Sequence, residues 1–250
     1  LPTDSWQQAI EGIDGVVNLA GESIAAKRWT ARQKQLLRES RLTTTHRLVS
    51  ALATLKQKPS VLVSASAVGY YGAHGDETLT EADASGADFL AKTCVAWEAE
   101  AKRAEALGVR VVRLRIGVVL GAHGGALAKM VPPFRWYGGW PLGHGRQWMS
   151  WMHRDDVIGL ITWALTHPDM RGAVNATAPE PVTMRIFCQT LARVLKRPCG
   201  APVPAFALRL LVGEMADLLL TGQRVVPKAA LESGFVFQSP HLDSAISSCL

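Results

Sequence analysis

Short continuous apolar runs alternate along this chain with longer stretches of helical period. The sharpest run is Val61-Leu62-Val63-Ser64-Ala65-Ser66-Ala67-Val68, which passes directly into Gly69-Tyr70-Tyr71-Gly72. A run of this length, rich in β-branched residues, suits a strand buried on both faces of a parallel sheet. Val16-Val17-Asn18-Leu19-Ala20-Gly21, Val109 to Gly121, and Gly172 to Ala178 read as further strands. Thr30-Ala31-Arg32-Gln33 fits a capping box and opens a helix reaching Leu55, which Lys58-Pro59 stops before Val61. A second long helix covers about Phe89–Leu107, with Gly108 where a left-handed terminating glycine belongs. Strands and helices alternating at these lengths predict an α/β fold with a parallel, doubly wound sheet.

The texture changes after the last of these strands. Gly124 to Gly145 is rich in Gly, Pro and Trp, as a lobe covering a site would be. Trp136, Trp140, Trp148 and Trp151 read either as an apolar roof over that site or as the core of a small lobe. In His153-Arg154-Asp155-Asp156 an Asp is expected to cap a helix with apolar residues at 157, 160, 161, 164 and 165. Three more helices are expected: amphipathic from Thr183 to Leu195, mostly apolar from Pro204 to Leu220, and short from Pro227 to Ser233, closed by Gly234. The C-terminal part therefore reads as a small, mostly helical lobe.

Composition narrows the function classes. Hydrophobic content of 48% with 19% charged residues gives ample core, and no apolar run reaches the roughly 18 residues a membrane span needs. The net charge of +6 is scattered rather than gathered in a Lys/Arg block, so no nucleic-acid or membrane partner is expected; a groove for phosphate groups accounts for the same charge. Cys94, Cys188, Cys199 and Cys249 show no CxxC and no metal spacing, which fits reduced thiols in a cytoplasmic protein, and no metal is expected. The opening segment Leu1–Gly15 offers neither a signal nor a transit peptide.

Candidate chemistry gathers at the end of the central strand, because ligands of open α/β sheets bind beyond the carboxyl ends of the strands. Ser64 and Ser66, two apart, point to the same side there; the bland alternative is that their hydroxyls satisfy loop backbone groups. Arg113 and Arg115 share one strand face, and burying two guanidinium groups demands partners. Glu98, on the preceding helix, is the expected partner of Arg115.

These features in this order resemble the extended short-chain dehydrogenase/reductase superfamily, within its sugar-nucleotide epimerase and dehydratase group. Asn18-Leu19-Ala20-Gly21 is similar to that family's fourth-strand ending, and Val61–Gly72 to its fifth strand with an active-site serine. Leu114-Arg115 with Val118-Val119-Leu120-Gly121 matches the sixth strand. Gly143-His144-Gly145-Arg146-Gln147, followed by Trp151-Met152-His153-Arg154-Asp155-Asp156-Val157, matches the segment after it. Gly21-Glu22-Ser23-Ile24, Lys27-Arg28-Trp29, Met130-Val131-Pro132-Pro133-Phe134 and Gly222-Gln223-Arg224-Val225-Val226-Pro227 are similar to one subgroup, the "epimerase family" proteins sometimes labelled cell-division-inhibitor-like. The resemblance implies a Rossmann-like cofactor domain at 1–180, a substrate-covering insertion at about 122–150 and a lid lobe at 181–250. It implies an NAD(P) cofactor, NADP(H) ahead of NAD(H), an unknown small-molecule substrate, and a homodimer through the two long helices.

Two departures shape what the resemblance implies. The family's opening strand, Gly-rich turn and helix, which hold the dinucleotide pyrophosphate, have no counterpart, so the chain is expected to be an incomplete cofactor domain. The family's Tyr-x-x-x-Lys pair is also missing: its slots hold Leu90 and Cys94, and Lys92 is displaced by two residues. The resemblance then leaves Ser66, Tyr70 and Tyr71 as the catalytic candidates. The cofactor candidates are Leu19, Ala20, Gly21, Arg41, Ser64, Ala65, Lys92, Arg115, Ile116 and Gly117. Each carries a structural alternative: Tyr70 and Tyr71 as packed phenols, Lys92 as a solvated helix lysine, Arg41 as half of a surface ion pair, Cys94 as a small buried residue. His153 is expected to fix the lobe to the sheet. The expected function is that of an NAD(P)-binding epimerase- or reductase-like protein, with a non-catalytic dinucleotide sensor or interaction protein as the alternative. A serine hydrolase ranks behind both, because Ser66 has no G-x-S-x-G elbow.

Overall fold

A computed structural model describes residue 6 and residues 10–122 and 124–250. In chain order the strands of the main sheet begin with β1 (Gly15–Asn18), followed by helix α1 (Ala31–Thr54) and then β2 (Val61–Ala67). The short β3 (Thr78–Leu79) precedes α2 (Phe89–Lys102), β4 (Arg110–Ile116) and β5 (Val118–Leu120). Helix α3 (Gly125–Arg135), β6 (Trp148–Met149) and β7 (Trp151–His153) follow, then α4 (Arg154–Thr166) and β8 (Gly172–Ala176). The C-terminal part holds β9 (Val182–Thr183), α5 (Met184–Leu195), α6 (Ala205–Val212), α7 (Ala216–Leu220), β10 (Arg224–Val225), α8 (Lys228–Glu232) and α9 (Leu242–Ser247).

The four-stranded sheet has order β1-β2-β4-β8 and every pairing is parallel, as the alternation predicts. Its central strand β2 is buried along nearly its whole length, which is why it carries almost no polar alternation. Helix α1 starts where the cap signal puts it: the Thr30 hydroxyl accepts from the Gln33 N–H. Helix α2 is capped by Asp88 and runs through a tightened turn to Gly108, whose φ of +80° lets the chain reverse into β4. One core packs α1 and the end of α2 against one face of the sheet; a second packs α4, Ala230 and Phe235 against the other.

Four expectations need correction. The strand read from Val109 to Gly121 is two strands, because it leaves the main sheet at Gly117 and β5 pairs with β7 instead. A Cβ on residue 117 would collide with the Ser150 carbonyl, so only glycine allows the crossing. The segment after Gly124 contains a helix, α3, despite Pro132 and Pro133, because Leu127, Val131 and Phe134 put one stripe into the lobe core. The single helix expected from Pro204 to Leu220 is broken at Gly213, whose φ is +64°. Finally, the cap of α4 is His153 and not an Asp: its Nδ1 accepts from the Asp155 N–H at 3.2 Å, leaving Asp155 and Asp156 in the first turn, where the helix dipole favours acids.

The lobe core spans both the insertion and the C-terminal helices, joining Leu127, Phe134 and Trp151 to Phe187, Leu191 and Ile246. His153 makes its contact within the lobe, its Nε2 lying 3.2 Å from the Ser248 hydroxyl just after α9. Among the described residues no helix is long and apolar enough to cross a membrane.

Candidate functional site at the strand ends

The carboxyl ends of β1, β2 and β4 lie side by side at Asn18, Ala67 and Ile116. At the first of them Asn18 is buried and is bonded at both ends of its amide: Nδ2 donates to the Thr45 hydroxyl at 2.9 Å, and Oδ1 accepts from the Ala20 N–H at 3.2 Å. That clasp turns the chain out of the sheet, so Leu19, Ala20 and Gly21 are all exposed. Arg41, half-buried on α1, fixes the loop beyond by donating to the Glu22 carbonyl at 3.0 Å and to the Leu37 carbonyl at 2.8 Å. Its guanidinium lies against Gly21, where a Cβ would be held 3.1 Å away. Both of the guanidinium's hydrogen-bonded nitrogens are thus engaged with main chain.

At the end of β2 the site is a buried polar network. The Ser66 hydroxyl donates to Glu98 Oε1 at 2.8 Å, and Arg115 makes a two-pronged contact with the same carboxylate at 2.8 and 3.1 Å. Arg113 adds a third cationic contact at 3.2 Å. The expected Glu98–Arg115 pair is therefore present, and it holds both arginines. Arg115 also donates to the Tyr71 hydroxyl at 2.9 Å, which in turn donates to Asn175 Oδ1 at 2.7 Å. Glu81 extends the network by accepting the N–H groups of Asn175 and Ala229. Burial would lower the Arg115 pKa, but hydrogen bonding to Glu98 and the charges of Glu98 and Tyr71 carry it above its ordinary value. Burial likewise pushes the Tyr71 phenol up to about 12, against the pull of Arg115.

Tyr70 differs from its neighbour. Its ring lies under the Arg115 guanidinium, 3.4 Å from carbon to ring centroid, and edge-on to Tyr71 at 5.3 Å. Its hydroxyl has no hydrogen-bond partner among the described residues. Ser66, Tyr71 and Arg115 are thus brought together, with Tyr70 stacked on them. Ser64 and Ala65 are enclosed in the strand behind, and Ile116 and Gly117 are half-buried at its neighbour's end. Lys92 is exposed on α2, and its side chain has no partner among the described residues. The indoles do not share one surface. Trp151 is wholly buried in the lobe core, whereas Trp136 is 85% exposed and Trp140 is exposed as well, so no four-tryptophan roof exists. Trp148 instead donates to Asp76 at 2.7 Å.

Cys94, in the slot of the missing lysine, is buried, and desolvation followed by the Glu98 charge pushes its thiol up to about 11. It stays a neutral thiol near pH 7. Cys188 and Cys249 are buried too, whereas Cys199 is half-exposed. We expect one of the four thiols to react rapidly with a disulfide reagent in the native protein and all four after denaturation. A second fast thiol that maps to Cys94 would contradict this burial. Sequence reasoning missed Glu81 and Asn175. Glu81 sits in an acidic loop without period, and Asn175 offers only the weak signal of an amide inside an otherwise apolar strand.

Comparison with known proteins adds a separate set of observations. Residues 2–176 match the NAD dependent epimerase/dehydratase family, and residues 203–249 match a domain of unknown function, DUF1731. The chain is 45% identical over 243 residues to "Epimerase family protein SDR39U1 homolog, chloroplastic" of Arabidopsis thaliana, covering 96% of this chain and 70% of that one. It is 43% identical over 242 residues to "Epimerase family protein YfhF" of Bacillus subtilis (strain 168), covering 96% and 79%. Among solved structures it is similar to human epimerase family protein SDR39U1 (isoform 2) with NADPH. That match has a TM-score of 0.92 and 32% identity, covering 99% of this chain and 85% of that one.

Proposed function

Because the chain belongs to the NAD-dependent epimerase/dehydratase family, we propose that it binds NADPH along the carboxyl ends of β1, β2 and β4. The observation that carries this reading is the Leu19-Ala20-Gly21 segment, which the Asn18 clasp lifts clear of the sheet as exposed main chain. Gly21 leaves open a cradle beside Arg41 that any Cβ would narrow, which suits a flat ring or ribose lying on main chain. The similar human protein has been solved with NADPH, in agreement with this reading. In the proposed reading Leu19, Ala20, Gly21, Ile116 and Gly117 face the dinucleotide. Ser64, Ala65, Arg41 and Arg115 hold those positions from behind, and Lys92 meets a ribose. The cofactor domain corresponds to 1–180 and the lid to 181–250 together with the insertion, except that Ala230 and Phe235 pack on the sheet itself.

The bound nicotinamide would supply or accept hydride. The chain's own part is to hold a substrate oxygen and move its proton. Tyr70 is the preferred donor: its hydroxyl is uncommitted and its ring is clamped by Arg115, whereas Tyr71 spends its hydroxyl on Asn175. Ser66, already bound to Glu98, orients that end of the strand. The second reading, a dinucleotide sensor without chemistry, draws on Leu90 and the buried Cys94 standing in the Tyr-x-x-x-Lys slots. Four free cysteines fit a reducing, cytoplasmic setting, and exposed Leu36 on α1 and Val95 on α2 suit a homodimer.

Fluorescence titration with NADPH and NADH tests the reading. Saturable binding that weakens at least about 10-fold in Gly21→Val supports it, since the added branch fills the cradle. Absence of binding to both dinucleotides overturns it. Transfer of deuteride from labelled NADPH to a panel of small carbonyl compounds separates the two readings: transfer that disappears in Tyr70→Phe selects the enzyme.

A further inference from the structure

Two adjacent residues of α2 face different parts of the site. Successive helical positions are turned about 100° from each other, so Glu98 reaches the ends of β2 and β4 while Trp97 faces α1. Glu98 has its place in the network with Ser66 and Arg115. Trp97 is equally enclosed, and its indole is committed on both its edge and its face.

On the edge, the Trp97 Nε1–H donates to the Thr45 hydroxyl at 2.9 Å. Thr45 is wholly buried on α1, and its oxygen also accepts from Asn18 Nδ2 at 2.9 Å. Both lone pairs of that hydroxyl are thereby used. Asn18 passes the constraint on, because its Oδ1 holds the Ala20 N–H. Over the face of the indole lies the Arg41 guanidinium, 5.2 Å from carbon to ring centroid. Arg41 in turn holds the Glu22 carbonyl, and Ser40 holds the Glu22 N–H at 3.0 Å.

Leu19-Ala20-Gly21 is thus a short exposed span between two fixed points, Asn18 and Glu22, and both are braced from one indole. An exposed span has little packing of its own, so its ends decide its shape. A span already held in its bound shape loses less entropy when a ligand arrives. We propose, resting on the dinucleotide reading, that Trp97 is a positioning residue for this segment, acting through Thr45 and Arg41. One turn of α2 then mounts both halves of the site: Trp97 sets the cofactor segment and Glu98 the proton-transfer end.

The test reads the Ala20 amide by hydrogen exchange and NADPH affinity by fluorescence on the same full-length variants. Trp97→Phe keeps a buried aromatic ring and deletes the N–H. Thr45→Val keeps the side-chain shape and deletes the shared oxygen, which Thr45→Ser returns. In Trp97→Phe and Thr45→Val the Ala20 amide should exchange at least about 5-fold faster relative to the amides of β8, and NADPH should bind at least about 5-fold more weakly. Thr45→Ser should match the parent in both. A general loss of stability would speed the β8 amides instead and would not separate valine from serine at position 45. The proposal is overturned by an exchange ratio and an affinity unmoved in both Trp97→Phe and Thr45→Val, or by Thr45→Ser behaving as Thr45→Val does. A faster Ala20 amide with unchanged affinity also overturns it, since the bracing would then serve the fold alone. A parent chain that binds neither dinucleotide refutes the cofactor reading, and the exchange ratio then decides the bracing by itself.

Discussion

Glu98→Gln is expected to lower stability by roughly 3 to 5 kcal/mol, the usual cost of removing one partner from a buried ion pair. The carboxylate is 4% exposed and is shared by Ser66, Arg113 and Arg115. The amide keeps its shape and one acceptor oxygen but loses the charge, so the guanidinium of Arg115, 3% exposed, is left without compensation. The loss should show as an earlier unfolding midpoint in urea with an unchanged slope, because the folded surface stays the same. The paired substitution Glu98→Leu with Arg115→Met should recover only part of the stability: it removes the desolvation cost of Arg115 along with the attraction, but leaves Arg113 and the Ser66 hydroxyl without their carboxylate. A midpoint unmoved in Glu98→Gln would show that the network contributes nothing to the fold.

Asp156→Ala should cost about 2 to 4 kcal/mol. Asp156 is 1% exposed and accepts the N–H of Gln238 at 2.7 Å and that of Ser239 at 3.0 Å, two charge-assisted bonds that pin the segment between α8 and α9. It also sits in the first turn of α4, where its charge is favourable to the helix. Truncation leaves two part-buried main-chain donors unpaired. Because those donors belong to the C-terminal segment, limited proteolysis should cut near Gln238 in the variant before the sheet unfolds. Asp156→Asn should fall between the variant and the parent, since it retains one acceptor without the charge. Cleavage rates equal in all three proteins would mean that α9 and its contact with His153 secure the segment alone.

The sheet was legible because its strands are buried on both faces and announce themselves as unbroken apolar runs. Both long helices were legible, one from Thr30, whose hydroxyl caps its first turn, the other from Gly108, whose left-handed conformation few other residues adopt as readily. Gly117 was not, because a glycine inside an apolar run looks the same whether the strand continues or changes partner; the deciding atom, the Ser150 carbonyl, lies 33 residues away in sequence. Helix α3 was hidden by its two prolines, which outweighed a correct three- and four-residue apolar spacing. At the site, Glu98 could be named in advance from the need to compensate buried arginines. Asn175 and Glu81 could not, since hydrogen bonds reaching across 94 and 104 positions leave no local pattern.

The partner exchange at Gly117 has a mechanical consequence. One uninterrupted length of backbone belongs to the main sheet through β4 and to the lobe through β5, and β7, its partner there, continues without a loop into α4 on the sheet's other face. That side of the groove behaves as a beam built in at both ends and resists bending. Compliance is left to the opposite rim, where exposed side-chain contacts do the bridging: Arg28 and Lys34 meet the chain on either side of Gly213, and Lys129 of α3 reaches the Ala25 carbonyl. A load applied to the lobe should therefore swing it about the β5–β7 beam, widening the rim that carries Leu19 to Arg32 while the Ser66–Glu98–Arg115 network keeps its shape.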